Sequence, residues 1–75
     1  MNKLYVIQFS TNKGENWKNV IINGVVAAFD IKPDAKSSME EIYQYFKQVF
    51  KRMDIKPIAR KWYRIKEFVE ESEVK

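Results

Sequence analysis

The amino-acid sequence predicts an α+β domain with a small antiparallel sheet of three to four strands in β-β-β-α-β order and one amphipathic helix packed on it. Three observations support this prediction. The amino-terminal part of the chain is rich in β-branched and aromatic residues broken by turn signals, a helical apolar stripe follows, and a second β-rich segment comes after the stripe. A chain of 75 residues makes one domain, placed at residues 1–69, with a polar acidic tail at 70–75 that we expect to fray.

Three strands are predicted before the helix. Lys3–Phe9 is short, β-branched and aromatic, with apolar side chains on both faces. Residues 17–22 are also β-rich, and they lead into Asn23-Gly24. This dipeptide predicts a two-residue hairpin turn, because both of its positions need a positive φ. Residues 25–29 would form the third strand.

The helix is predicted over about residues 37–52. Ser37 and Ser38 are each followed three residues later by a glutamate, which gives two overlapping capping boxes, and residues 30–36 are predicted as a loop. Asp54 is expected to end the helix in the left-handed conformation, since Pro57 prevents an easy continuation. The apolar stripe consists of Met39, Ile42, Phe46, Val49, Phe50 and Met53.

Residues 58–68 fit either a strand or a helix, because Ile58, Trp62 and Ile65 have helical spacing, whereas a Trp-Tyr-Arg-Ile run favours a strand. We favour the strand. Its core face would carry Ala59 and Tyr63, with basic residues and an aromatic on the opposite side. The predicted binding strip, within residues 56–66, consists of Lys56, Arg60, Trp62, Arg64 and Lys66.

The composition disfavours an enzyme. The chain contains no cysteine and no histidine, so it lacks thiolate nucleophiles, zinc–thiolate ligands and the side chain best suited to proton transfer near neutral pH. The acidic residues show no metal-binding spacing, and both glycines are used in turns. We therefore expect no catalytic residues, no metal and no cofactor. No apolar run approaches the roughly 18 residues of a membrane span, so we expect no membrane contact and a cytoplasmic location.

The stretch Ser10-Thr11-Asn12-Lys13-Gly14-Glu15-Asn16-Trp17 resembles the Asp-box, a hairpin motif written Ser-x-Asp-x-Gly-x-Thr-Trp and known from sialidase-type β-propellers. Asparagines replace the usual Asp and Thr, and both can still accept backbone hydrogen bonds. The resemblance covers these eight residues alone, and a propeller does not fit in this chain. It implies a structural turn, away from any ligand or metal, formed by Asn12, Gly14, Asn16 and Trp17.

Two classes of function remain open. The first is a small non-enzymatic accessory protein that binds another protein or itself, such as a phage or mobile-element modulator. The eleven aromatic residues of so short a chain favour this class, because apolar surface that a thin core cannot bury often lies in an interface. The alternative is a nucleic-acid-binding module that uses the basic strip and stacks a base on Trp62. A solvent-exposed face whose arginines cover Trp62 would explain the same strip without any ligand.

Overall fold

The computed structural model describes residues 3–69 and confirms the α+β class, with one helix and a small antiparallel sheet. The predicted acidic tail at 70–75 lies outside the described residues. A 3₁₀ turn at Arg60–Trp62 precedes the last strand. The elements are β1 (Lys3–Phe9), β2 (Lys18–Asn19), β3 (Ile21–Ile22), β4 (Val25–Val26), β5 (Ala28–Phe29), α1 (Lys32–Arg52) and β6 (Tyr63–Val69).

Strand β1 lies at the centre of the sheet. On one side it pairs along its full length with β6, in an antiparallel register that sets Phe9 opposite Tyr63 and Lys3 opposite Val69. The other edge of β1 is shared by two short strands, since β2 pairs with its carboxyl-terminal end and β5 with its amino-terminal half. The prediction that residues 58–68 form a strand is confirmed from Tyr63 onward, in β6, and is wrong for residues 58–62. Arg60–Trp62 form a 3₁₀ turn instead, and Ala59, which is predicted on the core face, is exposed.

Between β2 and β5 the chain leaves the sheet as a separate hairpin made of β3 and β4. Asn23 and Gly24 turn it with φ values of 53° and 77°, as the Asn-Gly signal predicts. The expectation of two continuous strands at 17–22 and 25–29 is wrong. Each is split where the chain leaves or rejoins the sheet, and both of these points are bonded to Ile7 of β1. The Ile7 carbonyl accepts from the Val20 amide at 2.9 Å, and the Ile7 amide donates to the Ala27 carbonyl at 3.0 Å.

Helix α1 begins earlier than the capping boxes predict. It starts at Lys32, so the expected loop at 30–36 is mostly helical, and Ser37 and Ser38 lie inside the helix. Pro33 fits the first turn, where its missing amide has no intrahelical partner, and the carboxylate of Asp34 favours the positive end of the helix dipole. Burial of Ala35, which is fully inaccessible, stabilises this added turn.

The carboxyl-terminal end of α1 follows the prediction. Asp54 has a φ of 59°, and its amide donates to the Lys51 carbonyl at 3.1 Å. The next amide, of Ile55, donates to the Phe50 carbonyl at 2.9 Å. This pair of bonds is the Schellman arrangement, which satisfies carbonyls that the helix leaves without partners.

The core lies between α1 and one face of the sheet. Ile7, Val20, Ile42 and Tyr63 form a buried cluster, with Phe9, Phe29, Met39 and Phe46 packed against it. Directly opposed residues share a face in an antiparallel pair, so the odd-numbered residues of β1 and β6 face the helix. We call the other side, which carries Gln8, Arg64 and Lys66, the open face. None of the helical segments in residues 3–69 combines the length and apolar character of a bilayer span.

Candidate functional site

The turn at residues 10–17 is organised by a buried serine. The Ser10 hydroxyl donates to Oδ1 of Asn12 at 2.9 Å and accepts the amide of Gly14 at 2.8 Å. Asn12 Oδ1 also accepts the amide of Asn16 at 2.9 Å. Asn16 therefore contributes through its backbone, and Ser10, which the sequence interpretation did not single out, is the centre of the network. These bonds describe a structural turn, and the Asp-box resemblance stays a prediction.

Both tryptophans pack against this turn. Gly14 adopts a φ of 89°, and a Cβ placed on it would lie 3.2 Å from Cζ3 of Trp62 and 3.7 Å from Cζ2 of Trp17. The glycine is needed here both for its backbone conformation and for the space that the rings occupy. The turn thus sets the position of two large aromatic side chains on the open face.

A row of polar side chains crosses the open face beside the tryptophans. Arg64 of β6 donates from Nε to Oε1 of Gln8 at 2.8 Å, and Gln8 donates from Nε2 to Oδ1 of Asn19 at 2.8 Å. The Arg64 guanidinium lies over the ring of Trp17, 4.2 Å from its centroid. Gln8 is buried, so the row is satisfied internally at a position where an unpaired amide would be costly. Arg64 is held in place from two sides.

The predicted strip is only partly assembled. Trp62, Arg64 and Lys66 share the open face, as expected for alternate residues of a strand. Arg60 does not join them, because the 3₁₀ turn breaks the alternation: it forms an ion pair with Glu40 of the helix and lies 5.1 Å from the ring centroid of Tyr43. The expectation that Arg60 shares the strip face is wrong. Lys56 is exposed in the loop after α1.

The cation–π contacts expected for an unliganded face are present, but with different partners. Lys61 lies 5.3 Å from the ring of Trp62, and Arg64 covers Trp17 rather than Trp62. One face of each indole is therefore already occupied by a cation of the same chain. A nucleic-acid base stacking on that face would have to displace it.

The most unusual surface is the β3–β4 hairpin, which is apolar on both faces. Ile21 opposes Val26 on one side and Ile22 opposes Val25 on the other. All four are exposed, with Ile21 at 60% and Val25 at 67% of their full accessible surface. The β-rich sequence on either side of Asn23-Gly24 predicts two strands of the sheet here. The structure instead places them outside the sheet.

An apolar groove separates the hairpin from the helix. It encloses about 510 Å³ between Ile21 and Ile22 on the hairpin and Ile42, Tyr45 and Phe46 on α1, with Glu41 and Asn23 at its rim. Tyr45 is largely exposed at this position. A second, smaller groove of about 330 Å³ adjoins the first at Ile21 and Phe46 and extends toward Phe50 and Ile58. The hairpin and its grooves form one continuous apolar surface, which we call the hairpin surface.

Among the titratable groups of residues 3–69, the buried Tyr63 has a shifted pKa. Residues 3–69 contain no cluster of three acidic, histidine or cysteine side chains that could hold a metal ion. The pKa of the Tyr63 phenol is raised, first by burial and then by the neighbouring Tyr43. This tyrosine lies in the core with its ring 5.7 Å from that of Tyr43, an edge-on packing contact.

Comparison with protein-family models, with curated proteins and with solved structures finds no match to this chain.

Proposed function

We propose that this protein is a small non-enzymatic accessory protein that binds another protein through its hairpin surface. The observation that carries the proposal is the exposure of four β-branched side chains on a hairpin that stands apart from the sheet. Small monomeric domains expose single apolar residues commonly, but clusters of them next to grooves mark binding sites. The partner can be a different protein or a second copy of this chain.

The energetics favour a bound state for this hairpin. A two-stranded hairpin is marginally stable in water, because its short strands gain little from packing. Burial of apolar surface contributes roughly 25 cal/mol per Å², so a partner that covers both faces of β3 and β4 would order the hairpin and gain affinity from the same contacts. The adjoining groove offers further apolar area from Tyr45 and Phe46.

The nucleic-acid alternative has less support from the geometry. Arg60 is paired with Glu40, and the two indole rings carry cations of the chain itself. Trp62, Arg64 and Lys66 still share one face, so the alternative makes a definite prediction. Oligonucleotide binding, followed by fluorescence anisotropy, would have to fall by orders of magnitude between about 50 and 200 mM salt, as phosphate contacts require.

The protein-binding proposal is tested by affinity capture with matched variants. The tagged full chain is used to capture proteins from cells of its source, at low salt and at 0.5 M salt, alongside Ile22→Thr/Val25→Thr. The control is Ile31→Thr/Ile55→Thr, which removes two aliphatic side chains of similar exposure away from the hairpin. We expect one partner, or a dimer of the chain itself, that survives salt and is lost only with the hairpin variant. Equal capture by both variants would refute the proposal.

A further inference from the structure

Strand β6 forms one edge of the sheet along seven residues. It pairs with β1 on its inner side, and no strand among residues 3–69 pairs with its outer side. The long edge of a sheet is a template for another strand, and many proteins cover or interrupt such edges. The outer edge of β6 is therefore a candidate site for an added strand.

The hydrogen-bonding groups on this edge can be assigned from the register. The Ser10 amide donates to the Trp62 carbonyl at 2.8 Å, one position before β6 begins. Bonding directions alternate along an antiparallel pair, so Arg64 and Lys66 direct their backbone groups to β1, whereas Ile65, Glu67 and Val69 direct theirs outward. The Tyr63 amide is already bonded to the Arg60 carbonyl of the 3₁₀ turn. The outer edge thus presents three successive N–H and C=O pairs to an incoming strand.

The side chains along the edge have different chemistry on its two faces. Arg64 and Lys66 lie on the open face, and within residues 3–69 neither forms an ion pair. Arg64 is also fixed, by its bond to Gln8 and its contact with Trp17. On the helix face the edge carries Tyr63 and Ile65, followed by Glu67, whose carboxylate is paired with Lys3 at 3.2 Å. An added strand would meet Arg64 and Lys66 on one face, and on the other two largely apolar side chains beside a carboxylate whose charge Lys3 offsets.

We propose that the outer edge of β6 binds an extended segment of a partner protein in which acidic residues alternate with apolar residues. This inference rests on the proposed function, because both assume that this chain binds a protein. The acidic side chains would lie on the open face beside Lys66, in the field of the Arg64 guanidinium that bonds to Gln8 on β1, and the apolar ones would lie beside Tyr63 and Ile65. The backbone of the segment would supply the partners for the three outward-directed residues.

Charge argues against a second copy of the chain as the occupant. In an antiparallel pair of two β6 strands, centring the register on Ile65 sets Arg64 opposite Lys66. Centring it on Arg64, Lys66 or Glu67 sets each of those residues opposite itself. Like charges directly opposed destabilise a strand pair, so every such register is disfavoured. The remaining registers, centred on Tyr63, Phe68 or Val69, pair at most three residues of β6 with its copy. An acidic segment can pair along the whole edge without opposing like charges.

The test uses the full chain labelled with ¹⁵N and synthetic nine-residue peptides. The probe peptide carries glutamate at alternate positions with valine or threonine between them. One control replaces each glutamate by lysine, and another methylates the peptide amides that would bond to β6. We expect the probe to slow amide exchange at Ile65, Glu67 and Val69, while Tyr63, Arg64 and Lys66, whose amides are already bonded within the chain, change little. We expect both controls to bind at least about tenfold more weakly.

Matched variants of the protein complete the test. Arg64→Gln/Lys66→Gln should weaken binding of the acidic peptide about tenfold or more, whereas Arg60→Gln, whose cation lies by the helix, should leave it unchanged. Equal binding of the acidic, lysine and methylated peptides, or no amide change at millimolar peptide, would overturn the inference. So would a concentration-dependent dimer that protects the same three amides without peptide. Ile22→Thr/Val25→Thr should bind the peptide normally, so failure at the edge is distinguished from failure at the hairpin.

Discussion

Replacement of the two glycines by alanine tests how the turn at residues 10–17 positions the open face. Gly14 and Gly24 both have a positive φ, of 89° and 77°, but their surroundings differ. A Cβ at Gly14 would lie 3.2 Å from the Trp62 ring, whereas a Cβ at Gly24 would have no atom within 4 Å. Gly24→Ala therefore measures the backbone cost alone, and Gly14→Ala adds the displacement of Trp62.

The magnitudes follow from these two contributions. A left-handed conformation costs an L-residue about 1–2 kcal/mol, and the stiffer unfolded chain returns about 0.4–1 kcal/mol, so Gly24→Ala should lower the free energy of unfolding by about 1 kcal/mol. Overpacking typically costs a further 1–3 kcal/mol or so. Gly14→Ala should therefore lose about 2–4 kcal/mol, and the fluorescence of the tryptophans should change in the folded state.

Urea unfolding followed by circular dichroism measures both variants. The double variant Gly14→Ala/Trp62→Leu completes a mutant cycle, because a smaller side chain at position 62 removes the ring that the new methyl group would meet. We expect the excess cost of Gly14→Ala to shrink in that background. Equal losses for the two glycine variants, or an excess that persists without the ring, would refute the packing that we describe.

Three further predictions concern single interactions. The raised pKa of Tyr63 adds stability that is complete below about pH 10 and is lost as the pH rises through the higher pKa of the folded state. The free energy of unfolding of Tyr63→Phe should therefore depend less on alkaline pH than that of the unaltered protein. The same pH dependence for both proteins would contradict this. Ser10→Ala should cost about 1–3 kcal/mol in urea unfolding, because the Gly14 amide loses its acceptor, and a loss below about 0.5 kcal/mol would show that water replaces the hydroxyl. The exposed pair of Glu40 and Arg60 should contribute only about 0.2–1 kcal/mol in a double-mutant cycle, and a larger coupling would mean that the pair is better shielded than its exposure indicates.

Local sequence signals predict the elements whose bonds are local. The amphipathic stripe, the Asn23-Gly24 turn and the left-handed cap at Asp54 each depend on a few neighbouring residues. Each has its predicted form, except that Met53, the last residue of the stripe, lies beyond α1 and is 58% exposed. The start of α1 was placed late, because Ser37 and Ser38 are good caps only when the helix does not continue before them. The complete burial of Ala35, which a local capping signal does not reveal, favours the earlier start.

The sheet could not be assigned fully from the sequence, because its pairing depends on distant residues. Ile7 bonds to Val20 and to Ala27, and these two bonds decide where the chain leaves the sheet and where it returns. No pattern within residues 17–29 indicates this. The exposed hairpin, on which the proposed function depends, follows directly from it.

The arrangement of the basic strip could be predicted only in part, because it too depends on residues that are distant in the sequence. The alternation of a strand correctly places Trp62, Arg64 and Lys66 on one face, but the 3₁₀ turn before β6 rotates Arg60 to the helix. The partner of Arg64 is Gln8, far away in the sequence, and only the register of β1 and β6 brings the two together.

Photo-crosslinking at Val25 tests most directly whether the hairpin surface binds a protein. A benzophenone amino acid at this exposed position reacts with whatever covers the hairpin in cells, and the same group at Ile31, which is also exposed but lies before α1, serves as the control. If the hairpin surface binds a protein, position 25 gives a discrete cross-linked species, either with a second protein or with another copy of the chain, and position 31 gives none. Adducts that are absent at position 25, or equal at both positions, would contradict it.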